Sequence, residues 1–251
     1  MNQARFVLVH GLLTSRTMWR PQVAALEAAE AMVVAPDLPG HGLRHDAFTI
    51  DAAMATIDDA IDALPGHGPV VLVGLSLGGY LVMEYAGRHH ERIDGLIPMA
   101  CTTPPITFGL DVYRVISTML IRQGGRAVRT QRLAQTIALG PEGAEDMLAG
   151  GFSLSPALDA LNAVAHLDPI TSVHRAASAG TPIWFVSGQF DQMRLGEHRF
   201  WRAAPRAWHT IVPFAPHIVS LANPVGISRL LTQVAKAITD GALQIASGPD
   251  A

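Results

Sequence analysis

Short apolar runs recur along the chain, each bounded by glycine, proline or polar residues. They have the length of strands, and their apolar residues follow one another without alternation. Such continuous runs are typical of strands buried on both faces, as in a parallel sheet covered by helices. We predict one mainly parallel sheet of about six strands, formed by residues 6–9, 31–35, 70–74, 95–99, 183–187 and 209–212.

Helical patterns lie between most of these runs. Strand and helix therefore alternate, which favours an α/β fold with helices flanking an open sheet. The clearest helical stretches occupy residues 19–30, 51–64, 77–90 and 224–240.

One interval, residues 100–182, breaks the alternation because it carries helical patterns and no strand-like run. We predict that residues 101–178 form a helical cap or lid, inserted into an α/β core that comprises residues 1–100 and 179–251. The apolar positions of its first helix follow the i, i+3, i+4, i+7, i+8 spacing of one helix face. These positions are Val112, Val115, Ile116, Met119 and Leu120.

Composition and charge narrow the class of protein. The chain has 251 residues, 49% of them hydrophobic, which suffices for the core of one domain or of one domain with an insertion. Its 18 basic and 21 acidic residues give a net charge of −3. A groove that binds nucleic acid needs an excess of basic residues, so the charge does not indicate nucleic-acid binding. No apolar stretch is long enough to span a membrane.

Cys101 is the single cysteine, which excludes an intramolecular disulfide and a cysteine-based zinc cluster. We therefore expect a cytoplasmic protein. A monomer and a homodimer both remain open. No pair of histidines has metal-ligand spacing beside carboxylates, so no metal site is predicted. His10 and His41 are interpreted as hydrogen-bonded turn residues.

Candidate chemistry centres on Ser76, which ends the third predicted strand and precedes a helical pattern. A sharp turn at that point lifts the hydroxyl clear of the backbone, and Gly74 and Gly78 leave room for neighbouring chain. The helix that follows points its free N–H groups at the same place.

A serine hydroxyl needs a base to become a nucleophile, and the base needs an orienting group. Asp191 follows the fifth predicted strand, and His217 follows the sixth. Parallel sheets build their sites at the carboxyl ends of strands, where all three residues are predicted to lie.

An oxyanion hole is the remaining part. His10, Gly11 and Leu12 follow the first predicted strand, and Gly11 would let the backbone come close. The backbone N–H groups of Leu12 and Leu77 are candidates to bind a developing negative charge.

Five segments of the chain, taken together and in their order along the sequence, resemble the α/β-hydrolase superfamily, in particular its esterase/lipase-like serine hydrolases. The resemblance implies Ser76 as nucleophile, His217 as base, Asp191 as acid, and the amides of Leu12 and Leu77 as oxyanion donors. It implies no cofactor. The segments are HGLLTSRTMW at 10–19, PDLPGHG at 36–42, GLSLGGY at 74–80, SGQFDQ at 187–192 and PHIVSLANP at 216–224.

Some features depart from the common family pattern. We expect the opening β-hairpin to be absent, as in the small methylesterase/hydroxynitrile-lyase and menaquinone-pathway lyase relatives. Ala215 and Pro216 precede His217, where the family often has a glycine. Serine at position 76 excludes the haloalkane dehalogenases and the epoxide hydrolases of this fold, which use aspartate there.

The resemblance implies hydrolysis of a small-molecule carboxylic ester, lactone or thioester through an acyl-enzyme. The same triad also serves lyases, C–C hydrolases, acyltransferases and cofactor-free haloperoxidases, and these alternatives stay open. A non-catalytic ligand-binding protein on the same fold is a further alternative.

Two questions concern the substrate pocket. Candidate pocket residues are Leu13, Cys101, Met119 and Ile218, although Cys101 is first interpreted as a small buried residue. Five arginines of the cap form either a solvated helix face or a basic rim for an anionic thioester. They are Arg114, Arg122, Arg126, Arg129 and Arg132.

Overall fold

The computed structural model describes residues 3–105, 108–123, 125–154 and 156–241. Its centre is a sheet of six strands in the order β2-β1-β3-β4-β5-β6, and every neighbouring pair is parallel. The predicted α/β fold and its six-stranded parallel sheet are confirmed. The strands are β1 (Arg5–Val9), β2 (Met32–Val34), β3 (Val70–Leu75), β4 (Gly95–Met99), β5 (Trp184–Gly188) and β6 (Trp208–Val212).

Helices connect the strands and cover the sheet. The longest, α5, is interrupted at Gly140 (φ 77°, ψ 172°), where Pro141 follows. Short 3-10 turns occupy Arg16–Trp19, His90–Arg92 and Gln192–Arg194. The α-helices are α1 (Arg20–Ala28), α2 (Ile50–Ala63), α3 (Leu77–Arg88), α4 (Phe108–Gln123), α5 (Gly125–Leu148), α6 (Ala157–Val164), α7 (Pro169–Ser178), α8 (Glu197–Ala203), α9 (Val219–Ala222) and α10 (Pro224–Thr239).

The sheet separates two apolar cores, and β3 contributes to both. Val70 and Leu72 pack with α2, α3, α7 and α8, whereas Val71 and Val73 pack with α1, α9 and α10. All six residues of β3 are buried. The continuous apolar run is thus explained by burial on both faces, since alternate side chains of a strand point to opposite faces.

The region between β4 and β5 is helical, as the sequence indicates. We call α4, α5 and α6 the cover helices. α7 instead packs against α3, where Gly87 has no Cβ to meet Ser172 and the Ser172 hydroxyl donates to Glu84 Oε2 at 2.7 Å. Within the described residues, no helix combines the length and apolar character needed to cross a bilayer.

The apolar stripe expected on α4 is buried only in part. Leu120 is 6% exposed, while Val115, Ile116 and Met119 are 53%, 43% and 57% exposed. The side chain of Val112 lies outside the described part of the chain. Helical spacing places residues on one face, but it does not determine whether that face meets a core, a cavity or solvent.

Candidate active site

Ser76 sits on a strained turn between β3 and α3. Its φ is 56° and its ψ is −113°, a left-handed conformation that L-residues rarely adopt. The Ser76 N–H donates to the Met99 carbonyl at 2.8 Å, and the Tyr80 N–H donates to the Ser76 carbonyl at 3.1 Å. These bonds hold the turn from both sides, so that the surrounding fold maintains a conformation that costs about 1–3 kcal/mol.

Two glycines of this turn are required by close packing. A Cβ at Gly74 would overlap the carbonyl oxygen of Gly78, and a Cβ at Gly78 would overlap that of Val9. Any larger residue at either position would push α3 away from the sheet.

Gly11 differs from these glycines. A Cβ there would lie 3.4 Å from the Leu75 carbonyl oxygen and 3.7 Å from Ser76 Cβ, which are ordinary contacts. The expected close backbone approach at Gly11 is therefore not observed, because the loop passes the turn at normal van der Waals distance.

The structure brings the side chains of Ser76, Asp191 and His217 together. His217 Nδ1 lies 2.8 Å from Asp191 Oδ1, and His217 Nε2 lies 3.0 Å from Ser76 Oγ. An ionised carboxylate only accepts hydrogen bonds, so Nδ1 carries the proton and donates to Asp191. Nε2 then has a free lone pair, which accepts from the Ser76 hydroxyl.

The loop after β5 fixes the Asp191 carboxylate. Asp191 is buried, and its Oδ1 also accepts the Met193 N–H at 2.8 Å. This bond caps the 3-10 turn that begins at Gln192. The carboxylate thus faces His217 from a backbone-defined position.

The loop after β6 carries His217 and packs against the end of β5. A Cβ at Gly188 would overlap the carbonyl oxygens of Ala215 and Pro216, and the Phe190 N–H donates to the Ala215 carbonyl at 3.0 Å. This close backbone packing holds the loop that contains Ala215 and Pro216 against the end of β5.

A buried histidine braces the loop that carries Leu12. His10 Nδ1 donates to the Gly11 carbonyl at 2.8 Å, while the Leu38 N–H donates to His10 Nε2 at 3.0 Å. The Thr14 hydroxyl also donates to the Gly11 carbonyl, at 2.9 Å. The turn-residue interpretation of His10 agrees with these bonds, which join the loop after β1 to the loop after β2.

Burial keeps the neighbouring titratable groups uncharged. Burial, with a smaller contribution from His41, lowers the pKa of His10 to about 3. Burial also lowers the pKa of His41. The pKa of the Cys101 thiol is raised well above its ordinary value by burial and then by Asp191.

Two cavities meet at Ser76. The larger, about 240 Å³, runs between the strand-end loops and the cover helices and contacts both Ser76 and His217. The smaller, about 30 Å³, is apolar and contacts Ser76 together with both predicted oxyanion residues. Its lining is Leu12, Ser76, Leu77, Tyr80, Leu161, Val164 and Met193.

The structure separates the predicted pocket residues into two groups. Leu13 and Ile218 line the larger cavity. Met119 is exposed on α4 and lines neither cavity; Cys101 is fully buried and would contact a Cβ at Gly79 on α3. The burial of Cys101 agrees with its first interpretation as a small buried residue. Met119 departs from the prediction because the rotation of α4 about its axis, which the sequence does not define, turns it to solvent.

The sequence analysis missed the polar end of the larger cavity. Ser117 on α4 and Gln131 and Gln135 on α5 line it, and Gln135 Nε2 donates to Gln131 Oε1 at 3.3 Å. Ser117 directly follows Ile116 and so lies about 100° around the helix from it, outside the apolar stripe. The periodicity of the sequence therefore gave no signal for it. None of the five cap arginines lines either cavity.

A doubly covered parallel sheet with a serine on a strained strand-to-helix turn defines the class of hydrolytic α/β enzymes. A family model described as the alpha/beta hydrolase family matches residues 6–247. The chain therefore belongs to the alpha/beta hydrolase family and is classed with its enzymes. Within the described residues, no three His, Cys, Asp or Glu side chains group as metal ligands.

Two curated relatives and one solved structure illustrate the similarity. Lipase LipV of Mycobacterium tuberculosis is 32% identical over 120 residues, which cover 47% of this chain and 44% of LipV. Carboxylesterase YbfK of Bacillus subtilis is 26% identical over 234 residues, covering 87% of this chain and 75% of YbfK. This chain thus aligns with less than half of LipV.

A carboxylesterase structure from the thaumarchaeon Nitrososphaera gargenis superposes with a TM-score of 0.80. The two chains are 17% identical, and the match covers 95% of this chain and 92% of the other. At that identity the likeness concerns the fold alone.

Proposed function

We propose that this protein is a serine hydrolase that cleaves carboxylic esters, with Ser76 as nucleophile, His217 as base and Asp191 as the orienting acid. The observation that carries the proposal is the continuous hydrogen-bond chain from Ser76 Oγ through His217 to Asp191. The names of LipV, a lipase, and YbfK, a carboxylesterase, support the same chemistry.

In the proposed reaction, His217 Nε2 takes the Ser76 proton as the hydroxyl oxygen attacks the ester carbonyl carbon. Asp191 stabilises the imidazolium that forms and keeps the ring oriented. The imidazolium then gives its proton to the leaving alcohol oxygen, and an acyl-enzyme remains on Ser76. A water molecule that gives a proton to Nε2 attacks the acyl group, and the returning proton restores Ser76.

The negative charge of the tetrahedral intermediate needs donors that are already oriented. The first turn of α3 leaves the Leu77 N–H without an intrahelical acceptor, and the helix dipole favours an anion there. The Leu12 amide belongs to the loop braced by His10 and Thr14. Each such donor is typically worth about 10²–10³ in rate.

The cover helices complete the proposed site. α4 and α5 provide one wall of the larger cavity, whose floor is formed by Ser76 and His217. We propose that the cap predicted at residues 101–178 acts chiefly through α4, α5 and α6, which exclude bulk water and select the substrate.

Labelling with a fluorophosphonate probe tests the proposal. The wild type should be labelled, whereas Ser76→Ala and His217→Ala should lose labelling and hydrolysis of p-nitrophenyl acetate. Ser228→Ala is the matched control, because Ser228 lies on α10 and its hydroxyl bonds the Pro21 carbonyl at 3.4 Å. A folded wild type that neither labels nor hydrolyses esters would overturn the proposal.

A further inference from the structure

We propose that the two cavities at Ser76 sort the two halves of the ester. The smaller cavity would hold a short acyl group, and the larger would hold an alcohol that carries an uncharged hydrogen-bonding group. This inference rests on the proposed function, because it assigns substrate parts relative to Ser76 and His217.

The position of His217 sets the orientation. The leaving alcohol oxygen must come within hydrogen-bond reach of His217 Nε2, because that nitrogen gives it a proton. The larger cavity contacts both Ser76 and His217, whereas His217 does not line the smaller one. The alcohol therefore extends into the larger cavity, and the acyl chain into the smaller.

The size of the smaller cavity limits the acyl group. About 30 Å³ between apolar side chains admits only a few non-hydrogen atoms. Leu161 and Val164 close it from α6 and belong to a buried, closely packed surface. Protein interiors yield little to an extra methylene, so acetyl and propionyl groups fit this cavity better than longer chains.

The larger cavity combines apolar walls with a polar end. Leu13, Met147 and Phe152 are among its apolar residues. The Ser117 side-chain oxygen is buried and has no hydrogen-bond partner among the described residues. A buried hydroxyl without a partner is unfavourable, and a hydrogen-bonding group on the substrate would satisfy it.

The charge of that group follows from the side chains around it. Besides Ser117, the polar end presents the amides of Gln131 and Gln135. Among the described residues, the cavity lining contains no Asp, Glu, Lys or Arg. An anionic group would enter without a countercharge, so a hydroxyl, ether or amide is the expected partner.

A pair of isomeric esters tests the orientation. Hexyl acetate and methyl heptanoate have the same formula, but the long chain lies on the alcohol side in one and on the acyl side in the other. We expect kcat/KM at least about tenfold higher for hexyl acetate, the range that pocket size gives in apolar sites. Equal values or a preference for methyl heptanoate would overturn the assignment.

The proposed function has its own readout in this experiment. Fluorophosphonate labelling of Ser76 reports the reactive serine whichever isomer is preferred. If Ser76 is labelled but methyl heptanoate is the better substrate, only the assignment of acyl and alcohol cavities is rejected. If the folded chain is not labelled, the hydrolase proposal is rejected as well.

Val164→Ala tests the acyl cavity. Removing two methyl groups enlarges the smaller cavity. The ratio of p-nitrophenyl hexanoate to p-nitrophenyl acetate hydrolysis should then rise at least about threefold, because the longer acyl chain gains the free energy of transfer from water into the apolar cavity. Val115→Ala is the matched control, because Val115 is exposed on α4 and lines neither cavity. The ratio cancels any loss of folded protein. An unchanged ratio in Val164→Ala would count against the acyl assignment.

Ser117→Ala tests the polar end. It should lower kcat/KM about three- to tenfold for 6-hydroxyhexyl acetate, the usual effect of one hydrogen bond, and leave hexyl acetate within twofold. Thr118→Ala is the matched control, because the Thr118 hydroxyl donates to the Arg114 carbonyl of its own helix at 2.8 Å. Equal effects of Ser117→Ala on the two esters would contradict a substrate contact.

Discussion

The strand-end loops and the cover helices approach Ser76 from two parts of the fold, and they are built differently. Hydrogen bonds donated by backbone N–H groups hold the loops, such as the bonds from the Ser76 N–H to the Met99 carbonyl and from the Met193 N–H to Asp191 Oδ1. The cover helices instead expose apolar side chains, and α5 is interrupted at Gly140. The comparison shows that backbone N–H groups position the reacting side chains, whereas the side chains of the cover helices shape the cavities proposed to bind the substrate.

Asp191→Asn should have the largest effect, because it acts where the loops determine the chemistry. An amide can donate to His217 Nδ1 and would then favour the tautomer with the proton on Nε2, which cannot accept from Ser76. We expect kcat for p-nitrophenyl acetate to fall by about 10⁴, with little change in the melting temperature.

Asp51→Asn is the control for this substitution. Asp51 is exposed in the first turn of α2, so its variant should keep wild-type kcat. A loss of less than about tenfold in Asp191→Asn would show that the loop geometry is not what orients His217.

Gly78→Ala and Gly11→Ala compare two glycines beside the same serine. The new methyl group overlaps the Val9 carbonyl oxygen in the first and makes only ordinary contacts in the second. We expect Gly78→Ala to lower the free energy of unfolding by about 3 kcal/mol or more, and Gly11→Ala by less than about 1 kcal/mol. Urea denaturation measures both, and similar losses would contradict the close packing at Gly78.

His10 should make the braced loop sensitive to acid. Burial lowers the pKa of His10 from 6.5 to about 3, so between these values the unfolded chain binds a proton that the folded chain does not. The contribution of neutral His10 to stability is therefore complete above pH 6.5 and is lost as the pH falls towards 3. The expected slope is up to about 1.4 kcal/mol per pH unit.

Urea denaturation of the wild type and His10→Asn at about pH 7.5 and about pH 5 isolates this contribution. The variant should have a lower free energy of unfolding than the wild type at the higher pH, but this free energy should fall less on acidification. His67→Asn, at an exposed position, should keep the wild-type slope. Parallel slopes for His10→Asn and the wild type would exclude His10 as the source.

Arg126→Ala with Arg129→Ala should have the smallest effect. Both arginines are exposed and line neither cavity, so KM for esters and for coenzyme A thioesters should stay within about twofold. A rise in KM confined to the thioesters would instead support the basic-rim alternative. Charged side chains of the cover helices would then also contribute to substrate binding.

The sequence predicted the sheet well because burial on both faces produces continuous apolar runs. β4 agrees with its predicted range, and β3 extends one residue further, to Leu75. The short helix α8 was not predicted. Its seven residues contain few apolar positions, so periodicity carries little signal there.

The sequence also placed Ser76, Asp191 and His217 at strand ends, which a parallel sheet necessarily brings to one edge. It could not place Met119 or Ser117. Their positions depend on the rotation of α4, and that rotation is set by contacts between elements far apart in the chain.

The left-handed conformation of Ser76 has a consequence for protein engineering. Glycine adopts a positive φ readily, so a glycine at position 76 would relieve backbone strain that alanine would keep. A selection for heat resistance alone would therefore favour the loss of the serine. Thermostable variants of this chain should be sought in screens that also require turnover.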